Sequence, residues 1–180
     1  LAELVGELSL IERIEDIALT TNGVLLAQHA AELKANGLRR VTVSLDSLDP
    51  AVFASMSGGF GGLDDVLDGI DAALAAGLGP VKVNAVVRRG SNDHTALGLL
   101  EHFRGTPVIV RLIEYMDVGN RNEWRREEVV PSSELLQQVA ARWPVTLSDG
   151  VEQIEAPDDR ARRRWRMIVG KRAHQRPLRH

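Results

Sequence analysis

A lysine and an arginine interrupt two otherwise apolar segments of this chain, and their positions suggest an anion-binding site. Lys82 lies in VKVNAVV (81–87) and Arg111 in VIVRLIEY (108–115). Because side chains alternate between the two faces of a strand, Lys82 and Asn84 share one face and the valines the other. Two cations facing one lumen fit a polyphosphate or carboxylate ligand. The structural alternative is a lysine that snorkels at a sheet edge.

Hydroxyls and carboxylates gather where the apolar segments end. In RVTVSLDSLDP (40–50), Ser44 and Asp46 follow the valines, and Pro50 breaks the strand pattern. Ligands of α/β proteins collect at the carboxyl ends of parallel strands. The groups expected at this rim are Thr20, Thr21, Asn22, Ser44, Asp46, Glu114, Met116 and Asp117.

Other chemical motifs are weaker. SGGFGG (57–62) does not follow a strand and has no Gly-Lys-Ser/Thr, so a flexible loop is favoured over a phosphate loop. The five histidines show no ligand spacing, and Ser44 has no Gly-x-Ser-x-Gly frame. Asp46 and Asp49 could do acid–base chemistry, but Asp49 before Pro50 is also an ordinary turn residue.

These segments alternate with helical patterns. Strands are predicted at 14–21, 40–46, 81–87 and 108–115. Helices are predicted at 25–36 and 63–76, each before a glycine, at 92–103 with Asn92 or Asp93 as cap, and at 133–143 with Ser132 or Ser133 as cap. Helical crossovers of this length join parallel strands, so the pattern predicts an α/β fold.

Four parallel strands fit either a doubly wound sheet or part of a (β/α) barrel. A doubly wound sheet carries helices on both faces and would bury Lys82 and Arg111 under apolar side chains. A barrel lumen gives these cations a cavity, where an anionic ligand offsets the cost of their desolvation. The sequence therefore favours the barrel.

Composition sets broad limits. The chain has 180 residues, 44% hydrophobic and only 4% aromatic, which predicts one domain with an aliphatic core. Its cysteine count is zero, so it forms no disulfide and no thiolate metal site of its own. No long apolar run or basic leader is present, and we expect a cytoplasmic protein without a membrane partner.

Charged residues are distributed unevenly along the chain. Residues 160–180 carry nine of the 22 Lys and Arg and no acid, whereas the acids lie before them. We expect a body at 1–149 and a basic, poorly defined tail at 150–180, with one short strand at 167–169. A basic run with a tryptophan could bind nucleic acid, but a solvated tail is favoured, so no nucleic-acid partner is expected.

Four stretches in this order resemble one known family: ALTTNG (18–23), LRRVTVSLDSLD (38–49), VKVNAVV (81–87) and RLIEYMDVGN (111–120). Together they are similar to the GTP 3′,8-cyclases, the radical S-adenosylmethionine (SAM) enzymes of molybdenum cofactor biosynthesis, over about residues 10 to 140. The resemblance implies the central part of an incomplete (β/α) barrel of the radical SAM type. It also implies SAM and two [4Fe–4S] clusters in the complete enzyme, with GTP as substrate. The family converts GTP to the cyclised nucleotide precursor of cyclic pyranopterin monophosphate.

Site residues follow from the same resemblance. Thr20, Lys82 and Arg111 look like contacts to GTP, with Lys82 at its phosphates. Ser44 and Met116 look like contacts to SAM. No catalytic residue and no metal ligand is assigned.

This chain also departs from the family. The family's Cys-x-x-x-Cys-x-x-Cys and Cys-x-x-Cys motifs are absent, and with no cysteine neither cluster can be held in the family's manner. We therefore expect a fragment that is inactive alone and that arises from a truncated or frameshifted reading frame. We also expect this fragment to associate, for example as a homodimer. Alternatives are another radical SAM enzyme, or a non-catalytic nucleotide-binding or interaction domain that has lost its clusters.

Overall fold

The computed structural model describes residues 1–116, 125–148, 153–158 and 163–170 of the chain. Strands and helices alternate through the first two thirds of it, as the pattern predicts. The helices are α1 (Ala2–Ser9), α2 (Leu26–Ala35), α3 (Pro50–Met56), α4 (Leu63–Ala75), α5 (Ala96–Phe103) and α6 (Ser132–Ala140), with a 3₁₀ turn at Arg126–Glu128. The strands are β1 (Ala18–Thr21), β2 (Arg40–Ser44), β3 (Val81–Val87), β4 (Ile109–Glu114), β5 (Thr146–Ser148), β6 (Gln153–Asp158) and β7 (Arg163–Gly170).

The strands form one sheet in the order β1-β2-β3-β4-β7-β6-β5. Strands β1 to β4 are parallel and adjacent in chain order, and β7 adds to β4 in parallel. Strands β6 and β5 continue the sheet antiparallel. Because right-handed crossovers between successive neighbours keep the helices on one face, this order is that of a barrel segment and not of a doubly wound sheet. The expected α/β class and partial barrel are confirmed.

One face of the sheet makes the core. Every second residue of β2, β3 and β4 is buried, as the alternation predicts. Helices α2, α4, α5 and α6 pack onto these positions with Leu33, Ile70, Leu99 and Leu135. The strand side of this cluster consists of Val41, Val43, Val81, Val83, Ala85, Val87, Val110 and Leu112. The other face carries the polar residues of β1, β2 and β3 and, in β4, Arg111 between Ile109 and the buried Ile113.

Local sequence explains several boundaries. Gly37 and Gly77 follow α2 and α4 with φ of 105° and 72°, values that favour glycine over residues with a side chain. Asp49 caps α3: its Oδ1 accepts hydrogen bonds from the backbone N–H of Ala51 and Val52 at 2.9 Å. The turn interpretation of Asp49 is therefore correct, and Pro50 begins the helix.

Two predicted caps are wrong. Helix α5 begins at Ala96, and Asn92 turns away from it to bond the ends of β2 and β3. Helix α6 begins at Ser132 without a side-chain cap of its own. There the Glu114 carboxylate accepts hydrogen bonds from the backbone N–H and the hydroxyl of Ser132, both at 2.6 Å. Tertiary contacts replaced the local caps at both sites.

Segments after residue 149 contain two strands. The short strand expected at 167–169 falls inside β7, and β6 pairs with it through a six-residue register. Asp117 and residues 171–180 lie outside the described residues. No helix among the described residues has the length and hydropathy that a membrane crossing needs.

Candidate functional site

A polar surface covers the open face of the parallel strands. In the sheet register, Ser44 of β2 stands beside Asn84 of β3, which stands beside Arg111 of β4. One row closer to the strands' amino ends, Thr20 stands beside Thr42, which stands beside Lys82. Neighbouring strands lie about 4.8 Å apart, so each row spans roughly 10 Å. We call these two rows the open polar face.

Among the described residues, three buried polar atoms on this face have no hydrogen-bond partner. They are Oδ1 of Asn84, Nε of Arg111 and Nε of Arg40. Buried polar groups in folded proteins are almost always paired, so three unpaired atoms on one face are unusual. Asn84 and Arg111 are register neighbours across β3 and β4.

Cations concentrate on the same face. Burial lowers the pKa of Lys82 below its ordinary value, and the charges of Arg111 and Arg40 lower it further. Arg40 is paired with Asp16, so part of its charge is already neutralised. An anionic ligand would relieve the repulsion that remains between Lys82 and Arg111.

A half-buried carboxylate lies at the carboxyl end of the face. Asp46 follows β2, and its Oδ1 accepts a hydrogen bond from the backbone N–H of Val86 at 2.7 Å. Burial raises the pKa of Asp46, and this hydrogen bond partly opposes the shift. Asp46 therefore links the ends of β2 and β3 while its other oxygen is available to the cavity beside it.

Asn92 ties the same strand ends together. It is fully buried; its amide donates to the carbonyls of Asp46 and Val86 at 2.8 and 2.9 Å and accepts from the backbone N–H of Arg88 at 2.8 Å. Asp46 and Arg88 lie just beyond β2 and β3, and Val86 is the last residue but one of β3, so these backbone groups lie where the pairing of β2 with β3 has ended. Asn92 thus fixes the rim on which the candidate site depends.

Two cavities open at this rim, separated by Met56 of α3. The smaller has a volume of about 170 Å³ and is lined by Asn22, Ser44, Asp46, Phe53, Met56, Ser57 and Phe60. The larger, of about 530 Å³, lies on the β3 side and is lined by Ala51, Val52, Ser55, Met56, Val86, Arg88, Gly90, Ser91 and Tyr115. Phe60, in the glycine-rich segment, is 74% exposed and forms the outer wall of the smaller cavity.

The charged residue in the wall of the larger cavity, Arg88, is held in place by its neighbours. The Arg88 guanidinium donates to both carboxylate oxygens of Glu128, at 3.0 and 2.8 Å, and lies 5.0 Å from the centre of the Tyr115 ring. Arg88 is therefore satisfied by its neighbours and is not the open cation of the site.

The residues proposed from sequence fall into two groups. Thr20, Lys82, Ser44 and Arg111 share the open polar face, and Ser44 also lines the smaller cavity. Met116 lies two residues beyond β4, half-buried, next to Tyr115 of the larger cavity. Their individual roles as GTP or SAM contacts stay predictions.

Sequence reasoning passed over Asn84 and Asn92 as site residues. Alternation already placed Asn84 beside Lys82 on the polar face, so the signal for it was present. Asn92 gave no such signal, because an asparagine before a helix is most simply read as its cap. Glu114, expected at the rim, instead binds the start of α6.

The donor set for a metal is poor. Within the described part of the chain, no cluster of three or more His, Asp or Glu side chains could hold a metal ion. The whole sequence has no cysteine, so the residues present do not fit an iron–sulfur cluster. The face fits an organic anion better than a metal.

Sheet order, one-sided helices and a polar face at the strand ends define a (β/α) barrel segment, a class of fold in which ligands gather at the carboxyl ends of the strands. The family model for the radical SAM superfamily matches residues 1–103, and the chain belongs to that superfamily.

Individual relatives show which members of the superfamily the chain is similar to. A GTP 3′,8-cyclase of Xanthomonas campestris pv. campestris (strain B100) is 53% identical over 146 residues, which cover 81% of this chain and 43% of that protein. The GTP 3′,8-cyclase of Acidothermus cellulolyticus is 50% identical over 145 residues, covering 81% and 40%. That of Parasynechococcus marenigrum is 40% identical over 171 residues, covering 89% and 48%. The chain thus spans less than half the length of these curated relatives.

Proposed function

We propose that this chain is the central part of a radical SAM GTP 3′,8-cyclase and that its open polar face binds GTP. The observation that carries the proposal is the position of Lys82 and Arg111 on one face of the sheet, where both are half-buried. A lysine whose protonation is disfavoured by burial and by a neighbouring arginine is poorly placed for stability alone and well placed for a polyanion. The names of the relatives supply the identity of that polyanion.

Within this proposal, Lys82 and Arg111 bind the phosphates and Thr20 contributes a hydroxyl at the edge strand. Lysine provides a compact point charge and arginine a planar fork of donors, and both suit phosphate oxygens. The GTP would then lie across β1 to β4 along the open polar face.

SAM is assigned to the rim. Ser44 and Asp46 line the smaller cavity, and Tyr115, the neighbour of Met116, lines the larger. Hydroxyl, carboxylate and aromatic groups suit the ribose, the ammonium and the adenine of SAM respectively. SAM supplies an adenosyl radical source only when a reduced cluster cleaves it.

The chain by itself does not fit that cluster, so we assign it binding and not cleavage. With no thiolate in 180 residues, the proposed chemistry needs cluster-bearing segments outside this chain. A non-catalytic nucleotide-binding domain is the second candidate, and the absence of cysteine is the observation that favours it.

Calorimetry with GTP tests the proposal. We expect the chain to bind GTP, and Lys82→Ala to weaken binding at least about tenfold, since a charge-assisted hydrogen bond contributes roughly 1.5–3 kcal/mol. Lys34→Ala is the matched control, because Lys34 is exposed on α2 and donates to the Gly77 carbonyl, away from the face. Equal binding by both variants, or no binding by the wild type, contradicts the proposal.

Iron content and SAM cleavage separate the two candidates. After anaerobic reconstitution, we expect neither bound [4Fe–4S] nor 5′-deoxyadenosine formation from this chain alone. Recovery of cleavage when the missing segments are supplied favours the cyclase. GTP binding that persists with no such recovery favours the non-catalytic domain.

We further propose that the protein acts in the cytoplasm, that it forms a homodimer, and that it has neither a nucleic-acid nor a membrane partner. The acidic body and the exposed sheet edge at β1 support the first two points.

A further inference from the structure

Two Asn-Gly pairs occur in the chain, and the fold holds them differently. They are Asn22–Gly23, after β1, and Asn36–Gly37, after α2. In such a pair the glycine nitrogen can attack Cγ of the asparagine, because glycine has no side chain to hinder the approach. A five-membered succinimide forms, the side-chain amide leaves as ammonia with the proton of the glycine nitrogen, and water then opens the ring to aspartate or isoaspartate. The reaction needs no reagent but water, and it requires that the asparagine side chain can turn toward the next nitrogen.

Asn36 is held by both atoms of its side-chain amide. Its Nδ2 donates to the carbonyl of Glu32 at 2.9 Å, and its Oδ1 lies so close to Gly6 that a β-carbon there would be 2.9 Å from it. The backbone N–H of Gly37 donates to the carbonyl of Lys34 at 3.1 Å. The leaving group and the attacking nitrogen are thus both tied to the end of α2, and these hydrogen bonds must break before Asn36 can cyclise.

Asn22 is exposed and more loosely held. It lies beyond Thr21, the last residue of β1 that pairs with β2. Its Oδ1 accepts a hydrogen bond from the backbone N–H of Val24 at 3.3 Å, so a donor already polarises the carbonyl group that the nitrogen would attack. The N–H of Gly23 donates to the Thr21 hydroxyl at 3.1 Å, an acceptor that belongs to a side chain and not to a helix backbone.

The fold also requires the glycine that makes Asn22 reactive. Gly23 is buried with a φ of 86°, and a β-carbon there would lie 2.9 Å from a side-chain carbon of Val43 and 3.0 Å from one of Val66. Any other residue would be strained or would clash, so position 23 carries no side chain that could shield its nitrogen. The reactivity of Asn22 therefore follows from the packing of β2 and α4 against this turn.

We propose that Asn22 is a site of spontaneous deamidation in the folded chain, whereas Asn36 is protected. Asn22 lines the smaller cavity together with Ser44 and Asp46. The product adds a second carboxylate to the cavity that Asp46 lines, and isoaspartate also lengthens the backbone just after β1. The modification thus changes the charge of the cavity wall without an enzyme, and it does not depend on the proposed GTP binding.

Peptide mapping by mass spectrometry, after incubation of the chain in water labelled with heavy oxygen, measures both conversions. We expect the folded chain to convert Asn22 at least about tenfold faster than Asn36, the factor that one or two hydrogen bonds represent. In guanidinium chloride the two should convert at similar rates, because both pairs then lie in flexible chain. Asn22→Gln should greatly slow conversion at this position, since its longer side chain would need a six-membered ring, and it should leave the rate at Asn36 unchanged. Asn22→Asp supplies the authentic aspartate product as a marker.

Each outcome decides the inference. Conversion of Asn36 as fast as Asn22 in the folded chain overturns it. So does a folded chain that converts neither, because the fold would then protect both pairs. If Asn22 is favoured equally in the unfolded chain, the neighbouring sequence and not the fold sets the preference, and the inference fails. Circular dichroism before and after incubation shows that the chain stays folded.

Discussion

Lys82 shows how one residue can carry a functional signal through its environment. A lysine within a strand is unremarkable at a sheet edge, but β3 is paired on both sides. Burial and the neighbouring Arg111 and Arg40 lower its pKa, so holding this proton costs the folded chain free energy. A bound polyanion would offset this cost by stabilising the protonated lysine, which is the physical reason to assign the face to a phosphate ligand.

This environment predicts a pH dependence of binding. Anion binding needs protonated Lys82, so GTP affinity should fall as the pH rises through the lowered pKa of Lys82, earlier than for an unperturbed lysine. Arginine stays charged, and Lys82→Arg should therefore move the fall to higher pH. Calorimetric titrations from neutral to alkaline pH measure both profiles. Coincident profiles in wild type and Lys82→Arg would contradict the assignment.

At the scale of elements, the junction between β2, β3 and α5 is held by side chains that regular structure does not provide. Asn92 pairs three backbone groups, and Asp46 pairs a fourth. Strand ends diverge from one another as their loops turn away, so these groups cannot pair along a ladder. The rim of the site is thus held by side-chain hydrogen bonds of Asn92 and Asp46 and not by the backbone hydrogen bonds of the sheet.

Loss of Asn92 should accordingly be costly. Asn92→Ala leaves two carbonyls and one N–H buried and unpaired, and we expect a destabilisation of about 3 kcal/mol. Asn36→Ala, which removes one hydrogen bond at a less buried site, should cost less than about 1 kcal/mol. Denaturant unfolding followed by circular dichroism compares the two. Similar losses in both variants would show that the Asn92 hydrogen bonds contribute little.

At the scale of the whole molecule, the described part of the sheet ends at β1, whose outer side has no strand partner among the described residues. In a closed barrel every strand has two partners, whereas here the outer side of β1 offers backbone donors and acceptors. Such an edge recruits another strand, either from the segments that complete the relatives or from a second copy of the chain.

A substitution that adds a positive charge to β1 tests whether the chain associates at this edge. We expect the isolated chain to form dimers or larger species in sedimentation velocity, and Ala18→Lys on exposed β1 to shift it toward monomer, since a lysine at an edge opposes pairing. Gln28→Lys adds the same charge on exposed α2 and should have no such effect. If the wild-type chain is a monomer at all concentrations, it does not associate through the edge of β1.

Much of the fold follows from sequence alone. Alternation in residues 81–87 predicted both bounds of β3 and its two faces, and Gly37 and Gly77 marked the ends of two helices, because these signals are local. The same alternation placed Lys82 and Arg111 on the polar face, and the order of four short stretches predicted the family. Where a local reading competed with a distant partner, as at Asn92 and Ser132, the sequence misled.

What the sequence determined by itself is the four strands β1 to β4, the helices between them, their parallel arrangement and the absence of cysteine ligands for a cluster, since each depends on residue type and near-neighbour spacing. Only the tertiary structure decided that Asn84 and Arg111 stand side by side with unused hydrogen-bonding atoms. It also decided that Asn92 bonds the ends of β2 and β3 instead of capping α5, and that Glu114 bonds the start of α6 instead of lining the rim. Register across strands and burial of single atoms depend on contacts between residues far apart in the chain, and spacing along one segment does not encode them.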